Sequence, residues 1–508
     1  MFLNIKHSVF WPPFLLFIGA AVLSMLHKEF FVRVTTAGND WVISNVGWLF
    51  SIAALLMVFA CVSVYFSRLG EVRIGGPDAE PLLGFFSWFA ITLTTTIATL
   101  LFWSLVEPVY LLSDPADSIG VNPNSPEAAM FSLSSMFLHW TVTPYAIYTV
   151  PAVVFAFVYY NMRKPYSLSS LLIPLLGEKT AQGKAGTIVD IVSLYTLALG
   201  MAASMGTNIL NLSGGIQYYT GVESTPFLWA VIAAVVTLTF VISSSTGLMN
   251  GIRTLSNVNM KIFVVMMVFL FLLGPTHYIL NAGTEAFGTF ASNFFQMSLF
   301  TGEMEGDPWP GDWTTFYWAS WFAWALITSI FLGRIAYGYK IKTMILVNFV
   351  LPAFFGVIWI SIFSGTAIYL DLWDNRLTET LIESGPQAVL YEVFGSLPFA
   401  SLLIPFYVFI TFITFVTACD SNNSAMSGIS STGISPETPE PSAVIKMIWG
   451  VTISMISWIM ISFADIGGVK MLNNLGGLPS LVLGIFVLGS LFNIAMSPEK
   501  YDRFKNMS

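Results

Sequence analysis

Apolar runs near the bilayer-spanning length of about 20 residues recur along the chain. They lie at 8–26, 41–66, 84–112, 128–160, 187–215, 226–244, 256–280, 312–337, 343–370, 398–420, 443–464 and 475–495. The pattern predicts an all-α polytopic membrane protein of about twelve transmembrane helices. The longest polar stretches, 114–127 and 424–441, are only connectors, so 1–508 reads as a single membrane domain. The connector at 281–312 contains AFGTFASNFFQMSLF, whose apolar positions suit one face of a helix lying along the outer surface.

Composition strengthens that reading. Of 508 residues, 56% are hydrophobic and 9% charged, against about 25% charged in soluble proteins. If the spans alternate, Arg68, Arg73, Arg163, Lys164, Lys179, Lys184, Arg253, Arg334, Lys340, Lys342, Lys500, Arg503 and Lys505 share one side. By the positive-inside rule that side is cytoplasmic and carries both termini. Lys28, Arg33, Arg376 and Lys470 fall on the other side. The net charge of −8 is spread over loops and names no partner; nothing supports nucleic-acid binding. Cys61 and Cys419 both lie in apolar spans, where neither a disulfide framework nor a metal site is suggested.

Candidate chemistry concentrates in 311–335, GDWTTFYWASWFAWALITSIFLGRI. Phe316, Trp321 and Trp324 lie inside this span, beyond the interfacial belt where aromatic rings are ordinary. Helical spacing brings them toward one side. On the fourth span, Trp140, Tyr145 and Tyr148 are spaced to bring their rings near one helical face, a stripe that packing alone also explains. A buried aromatic cluster without carboxylates suits a quaternary ammonium or sulfonium cation.

The run FYWASWFAWALITSIFLGRIAYGYKIK resembles the signature of the betaine/carnitine/choline transporter (BCCT) family, an FYWAWW-type run followed by an ARISRGR-type inside loop. LFWSLVEPVYLLSDP (101–115), MFLHWTVTPYAIY (136–148), GEKTAQGKAGTIVD (177–190) and TACDSNNSAMS (417–427) extend the likeness over roughly 10–497. The resemblance implies a LeuT-like arrangement of two five-helix inverted repeats preceded by two helices. Leading helices would occupy 1–80, the first repeat 81–282, an outer-surface helix and connector 283–311, and the second repeat 312–497. It further implies a homotrimer in a bacterial cytoplasmic (inner) membrane and no cofactor, with a sodium ion as a possible coupling ion.

Carried over by position, the family's substrate box falls on Trp140, Tyr145, Tyr148 and Trp321, with Trp324 and Phe316 as a neighbouring lower cage. Two positions depart from the pattern, since the family usually has Trp where Tyr145 and Ser320 stand. The cage is therefore expected to be wider or wetter. In the third span, Thr95, Thr96, Ile97, Ala98 and Thr99 replace the glycine-rich GMGIG-type break of sodium-coupled members. The hydroxyls of Thr92, Thr94, Thr95, Thr96 and Thr99 can satisfy an interrupted helix backbone, or bond back to their own helix. TACDS keeps Thr417 of the TSADS-type run but has Ala418 in place of a hydroxyl, and Asn259 stands where sodium-independent exchangers carry a fixed Arg. Thr417, Thr96 and Asn259 are thus the candidate ion ligands. Glu107, in the FWxxxEP run, is the candidate coupling carboxylate or a structural ion pair, and His139 is the histidine deepest in a span near the box.

The expected function is secondary active uptake of an onium zwitterion such as glycine betaine, a carnitine-like betaine or dimethylsulfoniopropionate, by sodium symport with alternating access. Proton coupling and sodium-independent exchange are the alternatives. A membrane enzyme lacks support, because no zinc-type His/Glu spacing, nucleophile elbow or phosphate loop occurs. A channel would call for a repeated filter or a ring of like charges.

Overall fold

The computed structural model describes residues 4–96, 99–245, 248–434 and 441–504. Among these the long elements are all helices: α1 (His7–Leu26), α2 (Lys28–Phe66), α3 (Phe85–Thr96), α4 (Leu100–Ser113), α5 (Pro126–Trp140), α6 (Val142–Ala156), α7 (Lys184–Thr220), α8 (Pro226–Ser245), α9 (Leu248–Leu273), α10 (Thr276–Ser298), α11 (Phe316–Ile335), α12 (Leu351–Asp371), α13 (Ala400–Ile429) and α14 (Ala443–Met496). Eleven stretches of the described residues are long and apolar enough to cross a membrane, and α3 with α4, bent by 48°, makes a twelfth.

The helix α14 is 54 residues long, which as a straight rod would reach about 80 Å, more than twice the hydrocarbon thickness. It is not straight. A Cβ on Gly468 would lie 2.5 Å from the carbonyl oxygen of Met460, whereas eight residues of straight helix separate atoms by about 12 Å. The chain therefore folds back here into two arms, Ala443–Ala464 and Ile466–Met496, which match the eleventh and twelfth expected spans.

Three of the differences from the hydropathy pattern have clear local reasons. The second span starts at Lys28 because polar residues such as Glu29, Arg33, Asn39 and Asp40 continue the helix beyond its apolar part. The seventh span ends at Leu273, where Gly274 and Pro275 break the ladder. The helix expected along the outer surface, α10, then begins at Thr276 and buries Ile279, Gly283, Ala286 and Phe290 along one stripe. The fourth span breaks into α5 and α6 at Thr141, whose φ of −118° and ψ of −98° are not helical. Pro144 has no N–H to give Trp140, so the first turn after the break cannot close the α-helical ladder.

The third span is bent by 48° between α3 and α4, with Ile97 and Ala98 outside the described residues. Two of the hydroxyls bond back to their own helix: Thr94 donates to Ala90 and Ile91, and Thr96 to Thr92 and Leu93.

The basic loops meet at one end of the bundle. Lys6 pairs with Asp190 at 2.7 Å, Ile5 bridges Ser431, Arg73 bridges Lys340, and Arg163 lies over the Phe504 ring. Lys28 and Lys470 lie toward the opposite end, over Phe463 and Trp313. Large apolar side chains such as Trp48, Phe66, Phe227, Leu238, Leu272 and Phe492 remain exposed on the outside of the bundle, the belt expected to meet lipid. The aromatic span Gly311–Ile335 is the opposite case, 94% buried over its most apolar window. It packs against α6, α7, α13 and both α2 and α14, so its rings belong to the interior. Close approach needs small residues: a Cβ on Gly477 of α14 would lie 2.5 Å from the Ala319 carbonyl oxygen.

Candidate functional site

A cavity inside the bundle is lined by Thr95, Thr96, Thr99 and Trp103 at the break between α3 and α4, by Trp140 and Tyr148, by Ser204 and Thr207 of α7, by Phe316, Tyr317, Ser320, Trp321 and Trp324 of α11, and by Phe415 and Asn473. Its volume is about 30 Å³, roughly that of one water molecule, so in this conformation the walls stand close together and must part to admit a larger ligand.

Trp321 is its centre. The ring stands edge-to-face to Trp140 at 5.2 Å and to Tyr148 at 5.5 Å. Its indole N–H donates to the backbone carbonyl of His139 at 3.0 Å. That acceptor exists because of the break at Thr141: the carbonyl four residues before Thr143 lies at a helix end, where no intrahelical donor claims it. The sequence Thr-Val-Thr-Pro thus fixes the kink, the kink frees a carbonyl, and the carbonyl orients the tryptophan. Trp324 is held similarly, donating to the Gly200 carbonyl at 3.1 Å. A Cβ on Gly200 would come within 3.1 Å of the Trp324 ring, so glycine lets that ring sit against α7.

Behind the cavity wall, Glu107 ties the rings together. One carboxylate oxygen accepts from the indole of Trp140 at 2.6 Å and the hydroxyl of Tyr317 at 2.5 Å. The other meets Nδ1 of His139 at 2.7 Å, and Nε2 of the same ring lies 3.1 Å from the Thr314 hydroxyl. Opposite an ionised carboxylate, Nδ1 must carry the proton, since two acceptors cannot bond. His139 also stacks on Tyr317 at 4.7 Å. Glu107 and His139 are both fully buried. The carboxylate is saturated by three donors and does not line the cavity, so the cage surface itself remains aromatic and hydroxyl-bearing.

Of the six residues assigned to the cage from the sequence, Trp140, Tyr148, Trp321, Trp324 and Phe316 line the cavity. Tyr145 is buried on α6 but is not among the lining residues. Among the ion candidates, Thr96 lines the cavity, while Thr417 and Asn259 do not. The Thr417 hydroxyl donates to the Ile413 carbonyl at 2.8 Å. Asn259 is buried with both amide atoms lacking a partner among the described residues. Sequence reasoning missed Trp103, Tyr317, Ser204, Thr207, Phe415 and Asn473. Tyr317 had a signal: with Phe316, Ser320, Trp321 and Trp324 it completes one helical face.

An aromatic-lined cavity beside the bend between α3 and α4, within a bundle of eleven or twelve candidate spans among the described residues, fits a multi-pass membrane transporter. The sequence profile of the BCCT, betaine/carnitine/choline family transporter, matches residues 8–500, and the chain belongs to that family. It is 33% identical over 397 residues to glycine betaine transporter 1 of Vibrio parahaemolyticus, covering 76% of this chain and 74% of that one. It is 28% identical to the ectoine/hydroxyectoine transporter of Virgibacillus pantothenticus, over 89% of each chain. Against the betaine/ectoine transporter LcoP of Corynebacterium glutamicum it is 30% identical, over 90% of this chain and 71% of that one.

Proposed function

We propose that the protein takes up a betaine-type onium zwitterion by sodium symport, with alternating access around the cavity. The observation that carries this reading is the edge-to-face cluster of Trp140, Tyr148 and Trp321 lining the cavity. Such faces attract a cation whose charge is spread over methyl groups and which donates no hydrogen bonds. Thr99 and Trp103, at the start of α4, line the same space. The positive end of that half-helix favours the carboxylate of a zwitterion, so one cavity offers complementary surfaces to both ends of the substrate. The names of the relatives fit this chemistry, since they are called betaine and ectoine transporters.

Sodium coupling is supported by side-chain oxygens on α3 and α13. A threonine hydroxyl that donates to its own helix keeps lone pairs for a cation. This applies to both Thr96 and Thr417. Asn259 adds a buried amide and no fixed charge. The crowding of basic residues at the end that holds Lys6, Arg73 and Lys340 supports a cytoplasmic placement of that end in a bacterial inner membrane.

The test is uptake of labelled glycine betaine into proteoliposomes with sodium and proton gradients imposed separately. Accumulation driven by sodium alone is expected. Accumulation driven only by a pH gradient, or only by internal substrate, would overturn sodium symport.

A further inference from the structure

We infer that Lys470 is a specificity-determining charge at the outer mouth of the cavity, favouring zwitterions over onium compounds with net positive charge. The inference rests on the reading of the cavity as an onium-zwitterion site and names the residue that discriminates within that class.

Lys470 lies on the second arm of α14, which begins at Ile466 beside the fold-back. Asn473, three residues further and on the same helical face, lines the cavity. Lys470 therefore stands one turn above the cavity, toward the outer end. Its ammonium is 3.9 Å from the centroid of the Trp313 ring and 5.3 Å from that of Phe316. It also donates to the Asp312 carbonyl at 3.2 Å. Phe316 is a cavity-lining ring, so a tethered cation already occupies an aromatic seat where an onium group would enter.

Among the described residues no carboxylate lies within ion-pair distance of Lys470. The acids that face this mouth are Asp312, with Asp40 and Asp114 around it, and none of them lines the cavity. They draw cations toward the rim, whereas the ammonium stands over Phe316 at the cavity edge. Glu107 lies deeper, behind the wall, where its charge acts on Lys470 while its oxygens are engaged by Trp140, Tyr317 and His139. An entering zwitterion can turn its carboxylate to Lys470 as its onium group passes. A simple cation such as choline has only repulsion to offer at that point, and low-dielectric walls strengthen it.

The experiment is competition against labelled glycine betaine on the purified full-length protein, read as the ratio of half-inhibitory concentrations of choline to glycine betaine. Lys470→Met is expected to lower that ratio about tenfold or more, and Lys470→Arg to leave it within about twofold. Asp312→Asn, which removes an opposing charge, is expected to raise it. Lys470→Gln repeats the first arm with a polar side chain in case the methionine variant is not recovered folded. An unchanged ratio in folded Lys470→Met or Lys470→Gln overturns the inference while leaving the cavity assignment standing. Failure of wild-type protein to bind glycine betaine at all would instead remove the functional reading on which it rests.

Discussion

Removing the Glu107 carboxylate is the sharpest perturbation of the cage, because it touches two cavity-lining side chains, Trp140 and Tyr317, and His139 behind them without touching the cavity. Glu107→Ala leaves the Trp140 indole, the Tyr317 hydroxyl and Nδ1 of His139 without their acceptor in a fully buried site. Breaking a buried pair of this kind costs about 3–5 kcal/mol. Glu107→Gln is milder for a specific reason. Its amide oxygen still accepts from Trp140 and Tyr317, and its NH₂ can donate to Nδ1 once the imidazole proton moves to Nε2. All three charge-assisted bonds become neutral ones, a loss of roughly 1 kcal/mol each, so about 3 kcal/mol. If half of that falls on ring placement in the cage, affinity weakens roughly tenfold.

The assay is thermal melting of detergent-purified protein with and without glycine betaine, together with equilibrium binding. Glu107→Ala should melt far below wild type and bind poorly, and Glu107→Gln should lie between. Wild-type melting and affinity in Glu107→Ala would refute the positioning role. A Glu107→Gln protein that binds normally but no longer accumulates substrate would also refute it, since that pattern belongs to a proton carrier.

Further outcomes follow from the same geometry. Trp321→Ala and Trp140→Ala should each weaken binding by about 0.5–2 kcal/mol from the cation–ring term alone, while Trp48→Ala, at a lipid-facing position 55% exposed, should not; equilibrium titration checks all three, and equal losses would indicate general destabilisation. Thr417→Ala should abolish sodium-driven uptake in proteoliposomes, and full retention of sodium dependence would remove Thr417 from the ion site. Pro144→Ala should relax the break at Thr141, let the helix reclaim the His139 carbonyl from Trp321, and lower affinity, read by the same titration; unchanged binding would separate the kink from the cage.

The spans were legible because each is a long apolar run, and the cage was legible where its residues share a helical face. Phe316, Trp321 and Trp324 recur at helical spacing, and five of the six proposed cage residues line one cavity. What the pattern could not convey were junctions between distant segments. Asn473 and Lys470 lie between the eleventh and twelfth expected spans, in a stretch the hydropathy pattern left as a connector, and they reach the site because α14 folds back beside Gly468 and continues as helix. Trp103 and Phe415 enter through the packing of separate helices, which no single window records. Tyr145 illustrates the converse: it stands three residues before Tyr148 on α6, about 60° around the helix, and only Tyr148 of the two lines the cavity. Glu107 read as a residue at the outer end of its span, yet it is buried beside the cage, because its donors come from α5 and α11.

The account stands or falls on whether the cavity holds an onium zwitterion. Titration of the purified protein with glycine betaine and with dimethylsulfoniopropionate, followed by intrinsic tryptophan fluorescence, tests this most directly, because Trp140 and Trp321 form the walls. A saturable change in the wild-type protein that disappears in Trp321→Ala is the predicted result. No response to any trimethylammonium or dimethylsulfonium compound, with no heat of binding by calorimetry, would contradict it.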